Sequence, residues 1–448
     1  MIAPARVAAY EALASLSAGS ADLPTAIAFA RSRLDDDRDR ALAADIATGV
    51  QRWRAALDHL IVAFSRRRLD RLDPEIVDIL RLSAYQLLHL TRVPASAVVD
   101  DAVDLAGRAG KRSASGFVNA VLRTISRKRS ALPLPPRPVD PDDREAALEY
   151  LSITLSHPRW LAARWYDRLG FEHAEAWCQF DNSPAPLTLR VNRLRTTCDD
   201  LVRRLGADGI RVRRGRFAPD ALIVEEGYPL RGTGLDEGLY VVQDEASQLV
   251  ALAADAEPGM RVLDTCASPG GKTTAMAAVM AGKGLLVACD VRSRRMELLR
   301  HTVTATGASV QLVQADLLRG LPFKRLFDLV VVDAPCSGLG TLRRDPDIRW
   351  RRHGHDLQAL AAAELTMLQH AAEAVAPGGR LLYATCSGEP EENEGIAAAF
   401  LATTPAFSGA AFGGSLTPEL VDTGGHLRTE PHVHQLEAFF AAAFVRYN

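Results

Sequence analysis

Cysteine is scarce in this sequence of 448 residues, and the six present do not cluster. Cys178, Cys198, Cys266, Cys289, Cys336 and Cys386 show no C-x-x-C spacing, which argues against a disulfide framework or a cysteine-rich zinc site. His432 and His434 have no companion ligands, and His353 and His355 flank Gly354 in a basic loop; no metal is expected. Long apolar runs are missing too. No stretch reaches the roughly 18 uncharged apolar residues of a membrane span, and Glu11 breaks the first apolar segment, which reads as an amphipathic helix rather than a signal peptide. A cytoplasmic protein without a membrane partner is the expectation. Two phosphate-binding signatures also fail. A P-loop needs glycine five places before Gly271, where Cys266 stands, and there is no G-x-G-x-x-G.

Net charge is almost absent at −2, so the whole molecule is not a polycation. The charge is uneven, however. Residues 1–131 hold 20 Lys and Arg against 15 Asp and Glu. Residues 190–216 hold nine arginines, Arg190 among them, against Asp199, Asp200 and Asp208. Local basic faces of this kind suit a polyanion.

The length allows roughly three domains, and the pattern along the chain agrees. Residues 1–130 read as an all-α bundle. Asp73 and Pro74 mark a helix start, after which Ile76, Ile79, Leu80, Leu87 and Leu88 recur at helical spacing. Residues 131–143 carry five prolines and form a linker. Residues 144–245 mix helices with short strands such as Leu187–Val191, a small α+β module. From 246 to 448 strands and helices alternate, with strands expected at 261–265, 285–289, 310–314, 328–332 and 380–384. That alternation argues for a mainly parallel, doubly wound sheet.

Chemistry concentrates at the carboxyl ends of these strands, where open α/β sheets bind ligands. Cys336 and Cys386 each follow a strand directly, in Ala334-Pro335-Cys336-Ser337 and Ala384-Thr385-Cys386-Ser387. Two thiols at one sheet edge point to covalent catalysis on an electrophile that is later released; position alone does not say which attacks. The first strand runs into Cys266-Ala267-Ser268-Pro269-Gly270-Gly271-Lys272, a glycine-rich turn opening a helix. With the two phosphate signatures excluded, the ligand expected there is S-adenosylmethionine. Asp290 ends the second strand, placed for ribose hydroxyls, and Asp316 ends the third, placed for the adenine amino group.

Residues 262–274, the Asp333-Ala334-Pro335-Cys336-Ser337-Gly338 box, and Thr385-Cys386-Ser387 followed by Glu391-Glu392-Asn393-Glu394 resemble the RNA cytosine-5 methyltransferases of the Sun/Nop2 type. Residues 84–88 and 116–123 resemble a NusB-like RNA-binding domain. That fusion, together with Arg344-Asp345-Pro346-Asp347-Ile348-Arg349-Trp350, is similar to the RsmB branch, which acts on small-subunit ribosomal RNA. The resemblance implies a multidomain chain: a NusB-like bundle, a small α+β module and a Rossmann-like S-adenosylmethionine-dependent catalytic domain. It assigns Cys386 as nucleophile toward cytosine C6, Cys336 to release, Asp333 to the base near N3, and Lys272 to the cofactor or target nucleotide. Ribosomal RNA is the expected partner, gripped by Arg190, Arg344, Arg349 and Trp350, and no protein partner is predicted. Transfer RNA as substrate, or a non-catalytic RNA-binding assembly protein, are the competing readings. Two departures stand out: Ser268 replaces the usual alanine, and Leu436–Phe440 lacks the common Asp-Gly.

Overall fold

Apolar residues at helical spacing across residues 2–130 form seven α-helices in the computed structural model, which describes residues 2–230, 233–323, 326–414 and 416–447. These are α1 (Pro4–Ser17), α2 (Leu23–Ser32), α3 (Asp37–Arg52), α4 (Arg54–Ser65), α5 (Pro74–His89), α6 (Ala95–Arg108) and α7 (Ser115–Arg127). Helix α5 is the axis of the bundle. Its Ile76, Ile79, Leu80 and Leu82 are buried, and it packs against α1, α3, α4, α6 and α7. Asp22 and Asp36 cap α2 and α3 by accepting backbone N–H bonds. Asp73 precedes Pro74 as expected but makes no side-chain cap bond; it pairs instead with Lys111 at 3.1 Å. Residues 131–143 contain no helix or strand.

The chain divides into two units, Met1–Pro184 with Leu342–Gly354, and Ala185–Thr341 with His355–Asn448. The division falls inside the segment 144–245, expected as a small α+β module. Its helices Arg159–Leu169 and Phe171–Asn182 belong to the first unit, around the stacked, buried Trp165 and Trp177. Its strands belong to the second.

The second unit holds two sheets. The smaller is antiparallel, in the order β2-β3-β1-β4, from β1 (Thr188–Val191), β2 (Arg211–Arg214), β3 (Ala221–Glu226) and β4 (Tyr240–Val242). Leu189 and Val191 of β1 point into a core shared with Leu201 and Leu205 of helix Cys198–Ala207. The alternate residue, Arg190, therefore takes the other face.

The larger sheet comprises β5 (Arg261–Asp264), β6 (Leu285–Asp290), β7 (Gln311–Gln314), β8 (Phe327–Asp333), β9 (Val375–Thr385), β10 (Phe407–Ala410), β11 (Leu427–Thr429) and β12 (Phe439–Arg446). Its order is β10-β12-β9-β8-β5-β6-β7, with β11 on β12. Strands β5 to β9 are parallel; β10, β11 and β12 join antiparallel. Side chains alternate between two cores: Leu329 and Val331 of β8 join one, Val330 and Val332 the other. A sheet covered on both faces explains why β8 reads as an unbroken apolar run. The order reverses between β5 and β8, and the carboxyl ends at such a switch point are where open α/β sheets bind ligands.

Candidate active site

The turn after β5 is built to admit a ligand. Gly270 sits at φ +103°, a left-handed conformation that glycine adopts without strain, and helix Gly271–Met280 begins directly after it. Three bonds tie the turn down: Ala267 N donates to Cys289 O at 2.8 Å, Ser268 N to Asp290 Oδ2 at 3.1 Å, and Gly270 N to Ala267 O at 2.7 Å. The Ser268–Pro269 peptide is cis. Asp290 also faces Arg295 at 3.3 Å. Asp316 caps the short turn after β7 by accepting Leu318 N at 3.1 Å. Asp264, at the tip of β5, is buried; its Oδ2 accepts the Thr273 hydroxyl at 2.7 Å, whereas Oδ1 has no hydrogen-bond partner. Burial, reinforced by nearby Asp333, pushes the Asp264 carboxyl up to about 7. Carboxylates with an orphan acceptor beside a glycine turn and a helix N-terminus fit a ligand carrying hydroxyl and ammonium donors.

Cys336 and Cys386 meet at the neighbouring strand ends. Their sulfurs are 3.4 Å apart. Lys272, in the first turn of helix Gly271–Met280, reaches Asp333 Oδ2 at 2.7 Å and lies 5.4 Å from the Phe439 ring centroid. Burial opposes the ammonium, but Asp333 more than compensates and holds Lys272 above the ordinary lysine range. The two thiols then diverge. The hydrogen bond from Cys336 lowers Cys386 below the usual thiol value, with help from Lys272, against burial and Asp333. The same bond, with burial, drives Cys336 well above it. Burial raises Cys178, Cys198 and Cys266, and pushes Cys289 up to about 12. Of the six cysteines only Cys386 is lowered. The site therefore favours a thiolate at Cys386 over one at Cys336, an asymmetry the sequence did not reveal.

The structure corrects part of the expected RNA grip. Arg190 is buried, donating to Gly271 O and, at 2.8 Å, to Thr274 Oγ1; burial brings its guanidinium down to about 10. It pins the glycine turn and presents nothing to solvent. Arg349 is fully buried in the first unit, donating to Ser156 O at 3.0 Å and Asn182 Oδ1 at 3.1 Å. Trp350 is half-buried, its indole N–H on Gln51 O at 2.6 Å and Arg54 over its ring. Arg344 is half-buried. The segment 342–354 is thus woven into the helical unit, with Arg52 donating to Arg343 O at 2.9 Å and Leu23 N to Asp347 at 3.2 Å. The basic stretch 190–216 is also less positive than its count. Arg193, Arg204, Arg211 and Arg216 pair with Asp220, Glu237, Glu226 and Glu419, all outside that window.

Arg190 and Arg349 are buried where the sequence suggested surface cations, and Asp264 and Glu392 are site carboxylates to which the sequence assigned no role. The signal for Arg190 was its place between two core-facing residues of a short strand. Replacing it with methionine removes two charge-assisted bonds, each worth about 1.5–3 kcal/mol, while relieving the burial of a cation. We expect Arg190→Met to lose about 2–3 kcal/mol by urea unfolding and to bind cofactor more weakly by calorimetry. Unchanged cofactor affinity would show that the turn holds its shape without this brace.

Comparison with known proteins agrees with this architecture. The NusB family model matches residues 3–127, the ferredoxin-like domain of RsmF/B-like methyltransferases matches 157–231, and the 16S rRNA methyltransferase RsmB/F model matches 251–445. Ribosomal RNA small subunit methyltransferase B of Pseudomonas putida is 36% identical over 89% of both chains. A Bacillus subtilis protein bearing the name probable ribosomal RNA small subunit methyltransferase B is 33% identical over 90% of both. The solved structure of PH0851 aligns over 99% of both chains, with a TM-score of 0.81 and 27% identity. The carboxylates at the tips of β5 and β6 suit the ammonium and hydroxyl donors of S-adenosylmethionine, which supplies an electrophilic methyl group when bound. The chain belongs to the RsmB/F family of 16S rRNA methyltransferases, with S-adenosylmethionine as its cofactor.

Proposed function

We propose that this chain methylates C5 of a cytosine in small-subunit (16S) ribosomal RNA through a covalent adduct between Cys386 and C6, acting in the cytoplasm. The observation that carries the reading is the sulfur pair, 3.4 Å apart just beyond the carboxyl ends of β8 and β9. Cytosine C5 is too weak a nucleophile to take a methyl group unaided. Addition of the Cys386 thiolate at C6 makes the ring an enamine and C5 nucleophilic. Asp333, whose side chain keeps about a quarter of its surface exposed, hydrogen-bonds the base near N3 and its amino group. Lys272 balances Asp333 and favours the Cys386 thiolate before attack. After methyl transfer solvent water takes the C5 proton, the C5–H electron pair re-forms the ring double bond, and the C6–sulfur bond breaks with its electron pair returning to Cys386. Cys336 serves this release. Asp264, Asp290 and Asp316, with the turn from Cys266 to Gly271, hold the cofactor.

C5 and C6 of a stacked, paired base are poorly placed for attack from above the ring, so the target is presented unpaired or flipped. Exposed arginines of β2 and the helix before it supply phosphate contacts, exchanging weak surface ion pairs for RNA. The test is methyl transfer from labelled S-adenosylmethionine to unmodified 16S rRNA, with the product mapped by bisulfite sequencing. A single protected cytosine is expected. Preference for transfer RNA would overturn the substrate, a label away from cytosine C5 would overturn the chemistry, and no transfer to either RNA would favour a non-catalytic assembly role.

A further inference from the structure

Behind the two cysteines lies a buried carboxylate that the chemistry above does not use. Glu392, in the loop between Cys386 and helix Glu394–Thr403, has no exposed surface. Its Oε1 accepts Ser337 N at 2.6 Å, and its Oε2 accepts the hydroxyls of Ser337 at 2.6 Å and Ser387 at 2.5 Å. These serines directly follow Cys336 and Cys386. Each hydroxyl also accepts a backbone N–H from its own loop, Leu339 at 3.3 Å and Glu389 at 3.1 Å. Each loop is thus folded around its serine, and one carboxylate yokes the serines together. A backbone bond from Gly340 N to Cys386 O at 3.0 Å adds a second link.

Glu364 lies close by. Burial, and then the charge on Glu392, push its carboxyl up to about 9, and its Oε2 accepts the Tyr383 hydroxyl at 3.0 Å. Two donors from Ser337 and one from Ser387 converge on the two acceptor-only oxygens of a carboxylate. An amide of the same shape has one acceptor oxygen and two donor protons, and must set an N–H against a donor.

We propose that Glu392 is a positioning residue, a clamp that fixes the Cys336 and Cys386 loops at the spacing where the Cys336 thiol hydrogen-bonds the Cys386 sulfur. The proposal rests on the two-cysteine reading, but its test does not depend on the substrate. Diamide takes two protons and two electrons from paired thiols and leaves a disulfide, so its rate reports how closely the sulfurs are held. In the full chain we expect rapid Cys336–Cys386 coupling, read by mass spectrometry.

In Glu392→Gln, coupling should slow and kcat should fall on the order of 100-fold, as for a displacement near 1 Å. Cofactor affinity and the KM for RNA should hold, and Glu392→Asp, which keeps the charge, should recover part of both rates. Unchanged coupling in folded Glu392→Gln overturns the clamp. If that variant does not fold, Ser387→Ala removes one donor and gives the same comparison: slower coupling supports the clamp, wild-type coupling overturns it. A failed methylation assay with normal coupling would count against the substrate reading and leave the clamp standing.

Discussion

Cys386→Ala will transfer no methyl group above background, a loss of at least about 10⁴-fold, while binding S-adenosylmethionine as the wild type does. The expectation follows from the division of labour between the thiols. Cys386 is the cysteine whose thiolate is favoured, because Cys336 donates to it and Lys272 lies nearby. Cys336, although 3.4 Å away, cannot substitute. Its proton is held by burial and by the very bond it makes to Cys386, and the carboxylates Glu392 and Glu364 oppose a second negative charge beside it. Radiolabelled transfer to unmodified RNA, with calorimetry on the same preparation, checks both halves. Residual turnover within a few-fold of the wild type would move the nucleophile elsewhere.

Cys336→Ala should fail differently, retaining attack and losing release. We expect a protein–RNA adduct that survives denaturing electrophoresis, and steady turnover reduced by about 10²–10⁴-fold, the usual worth of a positioned proton-transfer group. The substitution also removes the largest influence lowering Cys386. The Cys386 thiolate then forms only at higher pH, since Asp333, Glu392 and burial still oppose it and Lys272 alone supports it. Adduct formation rises with pH through the Cys386 pKa, so its acid limb should move upward in the variant. Free turnover without adduct would refute the release role, and an unshifted limb would refute the hydrogen bond as the cause of the lowered thiol.

Strand and helix positions in the catalytic domain were legible because periodicity reports burial. Strands expected at 261–265, 285–289 and 328–332 lie at Arg261–Asp264, Leu285–Asp290 and Phe327–Asp333. The strand-end cysteines were legible for the same reason: once two parallel strands are recognised, the residues after them share an edge. Side-chain partnership was not. Arg190 and Arg349 look like surface cations in a sequence, yet both are buried, because their partners are backbone carbonyls, a threonine hydroxyl and a distant amide that no pattern announces. The positive count of 190–216 misled because its neutralising acids fall after residue 216. Glu392 stood in a recognised motif without a role, since the serines it joins lie on two loops separated by 50 residues.

The most direct measurement is capture on target RNA carrying 5-fluorocytidine, whose fluorine cannot leave as the C5 proton does. Methyl transfer should proceed once and stop, with peptide mass spectrometry finding the modified nucleotide on the sulfur at position 386. A nucleotide attached at Cys336 instead, or complete methylation of the normal RNA with no capture on the fluorinated one, would contradict the account.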